Sequence, residues 1–229
     1  MYLNRIKNWV FDLDNTLYSP EVEIFSQIDK RMTEFIKNKL NTSNEKAFEI
    51  QKKYFLEYGT TLAGLMKVED INPDEFLEYV HDINLEILKP NEELNEIIKE
   101  LPGKKFIYTN GSKKHAENVL NKLKMQKIFD HIFDIKESNF IPKPNIKSYR
   151  KFIKKMNIDP QVSVMFEDIG RNLEPAKNIG MQTVLILRKI TNKAKNSKIK
   201  DYDSLWDNDN FADYITCLLY TSPSPRDFG

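Results

Sequence analysis

Two aspartates one residue apart, Asp12 and Asp14, close the apolar run Trp9-Val10-Phe11 and are followed at once by Asn15-Thr16-Leu17. Trp9 to Phe11 reads as a buried strand. Side chains alternate along an extended chain, so both carboxylates point the same way at its carboxyl end, where open α/β sheets bind ligands. A carboxylate nucleophile needs no deprotonation at neutral pH, but to approach an anionic phosphate it requires a divalent cation to offset the repulsion. The second carboxyl supplies a proton for the leaving group. The arrangement suits phosphoryl transfer through an aspartyl-phosphate. By itself, a paired Asp after a strand is also an ordinary turn cap, so the weight rests on what lies downstream.

Three later segments fit the same chemistry. Tyr108-Thr109-Asn110-Gly111-Ser112 joins a strand to a helix; there a hydroxyl and free backbone N–H groups can hold phosphate oxygens, and Gly111 permits close approach of the backbone. Lys143 lies in Ile141-Pro142-Lys143-Pro144, where the prolines keep it out of a regular helix, and the chemistry calls for a cation beside the nucleophile. Met165-Phe166-Glu167-Asp168-Ile169-Gly170-Arg171-Asn172 places two acids after another strand, and hard cations such as Mg²⁺ take oxygen ligands. In isolation these are a turn, a solvated lysine and a helix cap.

In this order the four segments resemble motifs I to IV of the haloacid dehalogenase-like (HAD) hydrolase superfamily. The resemblance implies Asp12 as nucleophile and Asp14 as general acid and base. It makes Thr109, with Asn110 and Gly111, a phosphate ligand and sets Lys143 against nucleophile and phosphate. Mg²⁺ would be held by Asp12, the Asp14 backbone carbonyl and Asp168. Glu167 is expected to orient Lys143 or a metal-bound water; Arg171 and Asn172 either pack the helix start or support the site. Asp14 argues against the dehalogenase branch, since a halide needs no acid.

The blocks Phe11 to Tyr18, Tyr58 to Met66, Tyr79 to Asp82 and Phe166 to Asp168 are similar to the pyrimidine 5'-nucleotidase branch, which implies hydrolysis of UMP or CMP to nucleoside and phosphate. Tyr18, Tyr58, Thr60, Thr61 and His81 are then candidates for contacts to base or ribose, with plain packing as the alternative. His115 reads as a capping or surface residue rather than a chemical one. A phosphatase for phosphoglycolate or a sugar phosphate, and a non-catalytic binding module of the same fold, are the rival readings.

The elements that must position these residues are legible from periodicity. Apolar spacing predicts helices over residues 22–40 and 45–58, an apolar stretch over 62–68, and a further helix opened by Asn72-Pro73. No strand signal appears before about Lys104. From there helices and strands alternate: strand 105–109, helix 113–123, strand 132–135, helix 146–156, strand 162–166, helix 173–179 and strand 183–187. Residues 192–203 read as a polar surface loop. The fold class is α/β, a three-layer Rossmann-like core with a parallel sheet and an α-helical cap inserted after the first strand. The core comprises residues 1–17 and 91–216 and the cap residues 18–90.

The chain of 229 residues carries Lys+Arg 35 against Asp+Glu 34. Near-neutral balance leaves no global field for nucleic acid or a membrane surface, so the expected partner is a small phosphorylated metabolite. No apolar run reaches the roughly 18 residues of a membrane span, and Met1 to Lys7 lacks a signal-peptide core; a cytoplasmic location is expected. The lone Cys217 excludes an internal disulfide. Residues 217–229, Cys217-Leu218-Leu219-Tyr220-Thr221-Ser222 onward, follow a plausible terminal helix but have no amphipathic period, and with permitted codons they resemble a translated transposon-end adapter. They are expected to be non-native, the rival being a disordered Ser/Pro tail.

Overall fold

A computed structural model describes residues 5–187 and 209–217 of the chain. The opening apolar run forms β1 (Asn8–Phe11), and all four of its residues are buried. The other strands are β2 (Lys104–Tyr108), β3 (His131–Phe133), β4 (Ser163–Glu167), β5 (Gln182–Leu187) and β6 (Tyr214–Cys217). They form one sheet in the order β3-β2-β1-β4-β5-β6, every pair parallel. A central strand of a parallel sheet is covered on both faces, which accounts for the unbroken apolar character of β1.

Between β1 and the rest of the sheet run α1 (Ile24–Lys39), α2 (Asn44–Tyr58), α3 (Thr61–Val68) and α4 (Pro73–Val80). Side-chain caps mark their starts: Ser43 accepts from the Lys46 N–H, Thr60 from Ala63, and Asn72 from Asp74 and Glu75, each satisfying a donor the helix leaves open. The apolar stretch after Gly59 is thus a helix, because Thr60 starts one and Leu62 and Leu65 then bury a common face. Phe35 of α1 meets Phe76 of α4 edge-on at 5.2 Å.

The remaining helices are α5 (Glu92–Glu100), α6 (Lys113–Lys122), α7 (Ile146–Met156) and α8 (Gly170–Asn178). Alternation along β1 sorts them into layers. Trp9 and Phe11 share an apolar cluster with Leu94 and Ile98 of α5 and Val119 and Leu120 of α6. Val10, on the opposite face, joins Tyr149 and Phe152 of α7 and Leu173 and Ala176 of α8. Helix, sheet and helix make the three expected layers.

Some boundaries move. The strand expected over 132–135 ends at Phe133 because Asp134 turns away to accept from the Lys113 and Glu137 N–H groups. Helix α8 starts at Gly170, ahead of the expected 173. The terminal helix is corrected: residues 209–217 run through a turn into β6. There the Asp213 carboxylate accepts from the Thr183 N–H at 3.0 Å, and the Asp213 N–H donates to the Thr183 carbonyl at 3.0 Å, pinning the segment to β5. The loop expected over 192–203 and most of the tail lie outside the described residues. Among the described residues no helix is long and apolar enough to cross a membrane.

Candidate active site

Register brings the motif residues to one place. Phe11 of β1 lies opposite Ile107 of β2 and Phe166 of β4, so the residues that follow, Asp12, Thr109 and the Glu167-Asp168 pair, emerge at the same end of three neighbouring strands. Since β2 and β4 flank β1 on opposite sides, this is the point where the strand order reverses, the usual crevice for ligands in such sheets. The Asp12 N–H donates to the Phe166 carbonyl at 2.9 Å and the Thr109 N–H to that of Phe133 at 3.1 Å, continuing the ladder into the site.

Lys143 reaches the centre from the loop before α7 and is 1% exposed. Its Nζ donates to Asp12 Oδ1 at 2.7 Å, Glu167 Oε2 at 2.6 Å and the Tyr108 carbonyl at 2.9 Å. These use all three ammonium donors, so what Lys143 offers an incoming anion is charge. Burial disfavours its charge, but Asp12 and Glu167 outweigh that and raise its affinity for the proton. Burial and the neighbouring Glu167 push the Asp12 carboxyl up to about 7, against the pull of Lys143. Glu167 is likewise pushed up to about 7, by burial and then by Asp168. Thr16 Oγ1 donates to the other Asp12 oxygen, Oδ2, at 3.2 Å.

Asp12, Glu167 and Asp168 are buried and present ligand oxygens within 4.8 Å of one another. An all-oxygen, all-carboxylate set matches a hard divalent cation such as Mg²⁺, and Asp12 and Glu167 are raised first by burial and then by their acidic neighbours. Glu167 Oε2 and Asp12 Oδ1 share the Lys143 ammonium, at 2.6 and 2.7 Å.

Asn110 spends both polar atoms of its side chain on the backbone of Lys143: Oδ1 accepts from the Lys143 N–H at 2.8 Å and Nδ2 donates to its carbonyl at 3.2 Å. It therefore fixes the lysine loop. Thr109 Oγ1 accepts from the Gly111 N–H at 2.9 Å and keeps its own O–H to donate. A Cβ at Gly111 would stand 3.3 Å from Thr109 Oγ1 and 3.4 Å from the His115 ring. Asn172 is buried and borders the same cavity. Arg171 instead donates to the Gly59 carbonyl at 3.2 Å and lies over the Phe55 ring, tying α8 to the α2–α3 turn.

The surroundings of Asp14 were not foreseen from motif spacing. His115, expected at the surface or in a cap, is 1% exposed, with Nε2 2.9 Å from Asp14 Oδ1. Tyr18 donates its hydroxyl to the same oxygen at 2.6 Å; it is buried behind Asp14 and is not among the residues bordering the cavity. Burial pushes the Asp14 carboxyl up, but His115 and Tyr18 outweigh it and hold the group below the usual carboxylate range. The His81 ring, from the end of α4, stacks on His115 at 4.2 Å and 11°, and its Nδ1 is 3.1 Å from Ser112 Oγ. Burial and then His115 push His81 down to about 3, so it is neutral at physiological pH.

The cavity over these groups encloses about 120 Å³. Its floor is Asp12, Asp14, Thr109, Lys143 and Asp168, and its roof comes from α1 to α4. Thr60, Thr61 and His81 border it, whereas Tyr58 packs instead against Tyr54 at 5.8 Å. Helical periodicity did not mark out the buried polar group in the roof: Gln51 Nε2 and Lys52 Nζ both donate to Asp29 Oδ1, at 2.7 and 2.6 Å, and all three residues border the cavity.

Comparison with known proteins agrees with this geometry. The pattern of the haloacid dehalogenase-like hydrolase family matches residues 9–186. Phosphate metabolism protein 8 of Saccharomyces cerevisiae is 27% identical over 215 residues; the match covers 86% of this chain and 66% of that protein, just under two thirds of its length. A glyceraldehyde 3-phosphate phosphatase of Methanocaldococcus jannaschii is 26% identical over 225 residues, covering 91% of this chain and 92% of that one. Among solved structures, a HAD phosphatase from Thermococcus onnurineus superposes with a TM-score of 0.58 at 22% identity, over 94% of this chain and 95% of its own.

Proposed function

The chain belongs to the haloacid dehalogenase-like hydrolases, and from that premise we propose that it is a phosphomonoesterase working through an aspartyl-phosphate on Asp12, with UMP and CMP as substrates. The observation that carries the chemistry is the pairing of two differently equipped carboxyls at one strand end: Asp12 against Lys143 and the acidic cluster, Asp14 against two hydrogen-bond donors. Two carboxyls in environments that differ in this way take different roles.

In the proposed reaction an Asp12 oxygen attacks phosphorus as the ester P–O bond breaks, and Asp14 passes a proton to the departing alcohol oxygen. Water then attacks the phosphorus, Asp14 takes its proton, and the bond to Asp12 breaks, releasing inorganic phosphate. Lys143 supplies positive charge and Thr109 a hydroxyl donor to the phosphoryl oxygens, where charge is spread in the transition state. When bound, Mg²⁺ on Asp12, Asp168 and the Asp14 carbonyl would neutralise the repulsion between nucleophile and phosphate. Asp14, ionised in the free site, regains proton affinity when a phosphate dianion arrives beside it.

Residues 18–90 act in this reading as the cap that selects the leaving group. Support for a pyrimidine comes from the roof, where Phe55 and Phe76 form a lining able to hold a flat ring, with the Thr60 hydroxyl beside them; Gln51 Nε2 and the Thr61 hydroxyl are already bonded, to Asp29 Oδ1 and the Gln51 carbonyl. A shorter ester is favoured by the volume: about 120 Å³ is below the roughly 300–1,000 Å³ usual for ligand pockets, so a nucleotide requires the cap to open further. The name of the archaeal relative points the same way. Phosphate release from UMP, CMP, purine nucleotides, glyceraldehyde 3-phosphate, phosphoglycolate and sugar phosphates, with and without Mg²⁺, decides between them. Preference for UMP and CMP is expected; preference for a triose phosphate replaces the nucleotide reading. Asp12→Asn is expected to abolish turnover with the fold intact, and a fully active variant refutes the nucleophile.

A further inference from the structure

Asp14 has two oxygens in unequal surroundings. Oδ1 receives the Tyr18 hydroxyl and faces His115 Nε2, while Oδ2 has no protein hydrogen bond among the described residues and Asp14 borders the cavity. The state of the imidazole follows from its neighbours. A bare Nε2 lone pair facing a carboxylate would repel it, so His115 Nε2 carries a proton and donates to Oδ1. An oxygen that already accepts two hydrogen bonds is a poor place for a third proton.

We propose that His115 is the positioning residue of Asp14: with Tyr18 it occupies Oδ1 and so assigns the proton that Asp14 exchanges to Oδ2, the oxygen open to the cavity. The ring itself is held by the flat contact with His81 on one side and by its own place in the first turn of α6, where the His115 N–H donates to Ser112 Oγ at 3.3 Å. His81 is bonded to that same hydroxyl. A single serine thereby contacts both a core histidine and a roof histidine. The inference rests on the reading of Asp14 as acid and base.

The test uses two substrates of nearly equal shape, phenyl phosphate and p-nitrophenyl phosphate, with kcat/KM as readout because it reports steps up to loss of the alcohol. The p-nitrophenolate leaves without a proton; phenolate needs one. Asp14→Asn first tests the underlying reading: its loss must be larger for phenyl phosphate, and an equal loss on both substrates removes Asp14 as acid whatever His115 does. His115→Phe keeps the ring stacked on His81 without the donor. His115→Gln places an amide N–H near the position of Nε2. For His115→Phe we expect kcat/KM for phenyl phosphate to fall on the order of 10–100-fold, with p-nitrophenyl phosphate falling less than about threefold, and His115→Gln to recover most of the difference. Equal losses on both substrates by variants whose thermal unfolding matches that of the unaltered protein, no loss on either, or a Gln variant no better than Phe each overturn the proposal.

Discussion

Lys143 Nζ lies 2.7 Å from Asp12 Oδ1, across 131 residues of sequence, and the two are almost wholly buried. The pair is held as much by what surrounds it as by its own attraction, since Asn110 clamps the lysine backbone and Glu167 shares the ammonium. Breaking such a pair from one side is costly, because it leaves an uncompensated charge in a dry interior. Lys143→Met should lower unfolding free energy by about 3–5 kcal/mol at neutral pH and reduce turnover at least about 100-fold. Urea titration and phosphate release measure the two effects. The stability loss should shrink below pH 6, where Asp12 and Glu167 take up protons.

If the cluster holds Mg²⁺ as proposed, the same titration sets the pH dependence of its affinity. Asp12 and Glu167 titrate at about 7 in the free site, against ordinary values of 3.8 and 4.5. A carboxyl with a raised native pKa binds a proton that the unfolded chain has released, so metal-free stability falls as pH rises from the unfolded value through about 7. Mg²⁺ binding replaces that proton. Its affinity should therefore climb between about pH 6 and 8, and calorimetry in buffers of different ionisation enthalpy should detect proton release. Affinity flat over this range would show that the cluster does not hold the ion.

A third outcome concerns a surface network. Glu137 accepts from His131 at 2.9 Å and Lys155 at 3.0 Å; burial pushes its carboxyl up, but these partners outweigh it and hold the group below 4.5. A depressed carboxyl stabilises the fold above its unfolded pKa and loses that contribution as pH falls through the native one. Glu137→Gln should cost roughly 0.2–1 kcal/mol at pH 7 and nothing at pH 2–3, read from denaturation midpoints at the two pH values.

Gly64 in α3 separates two effects of opposite sign. Alanine in a helix interior is favoured over glycine by about 1 kcal/mol, yet a Cβ at this position would lie 2.4 Å from Cβ and Cγ of Tyr54. Forced overpacking costs roughly 1–3 kcal/mol, and Tyr54 is itself tied to Glu69 at 2.6 Å. Gly64→Ala should destabilise in a thermal melt, and adding Tyr54→Leu should not recover the loss, because leucine keeps the Cβ and Cγ that the new methyl group meets.

The strands and the four motif segments were legible because they depend on local signals: apolar runs of strand length, turn residues after them, and a helix opening such as Asn72-Pro73. The environment of Asp14 was not. His115 lies 101 residues from Asp14, in a helical first turn whose spacing looks like a surface position, and only the packing of α6 under β1 turns it inward. Tyr18 had the right type for a ligand contact, but its hydroxyl is used four residues away. The strand at Tyr214 was hidden for another reason: an edge strand of four residues is defined by pairing with β5 rather than by its own pattern.

The roof helices α1 to α4 leave the chain after β1 and return before β2, so they are threaded between two strands without belonging to the sheet. Hydrogen bonds from Arg171 to the Gly59 carbonyl and between His81 and Ser112 tie that layer back to the core. On the proposed reading, the residues that see the alcohol can be exchanged one by one without disturbing the strand register that aligns Asp12 with Thr109 and Asp168, as long as those ties are kept.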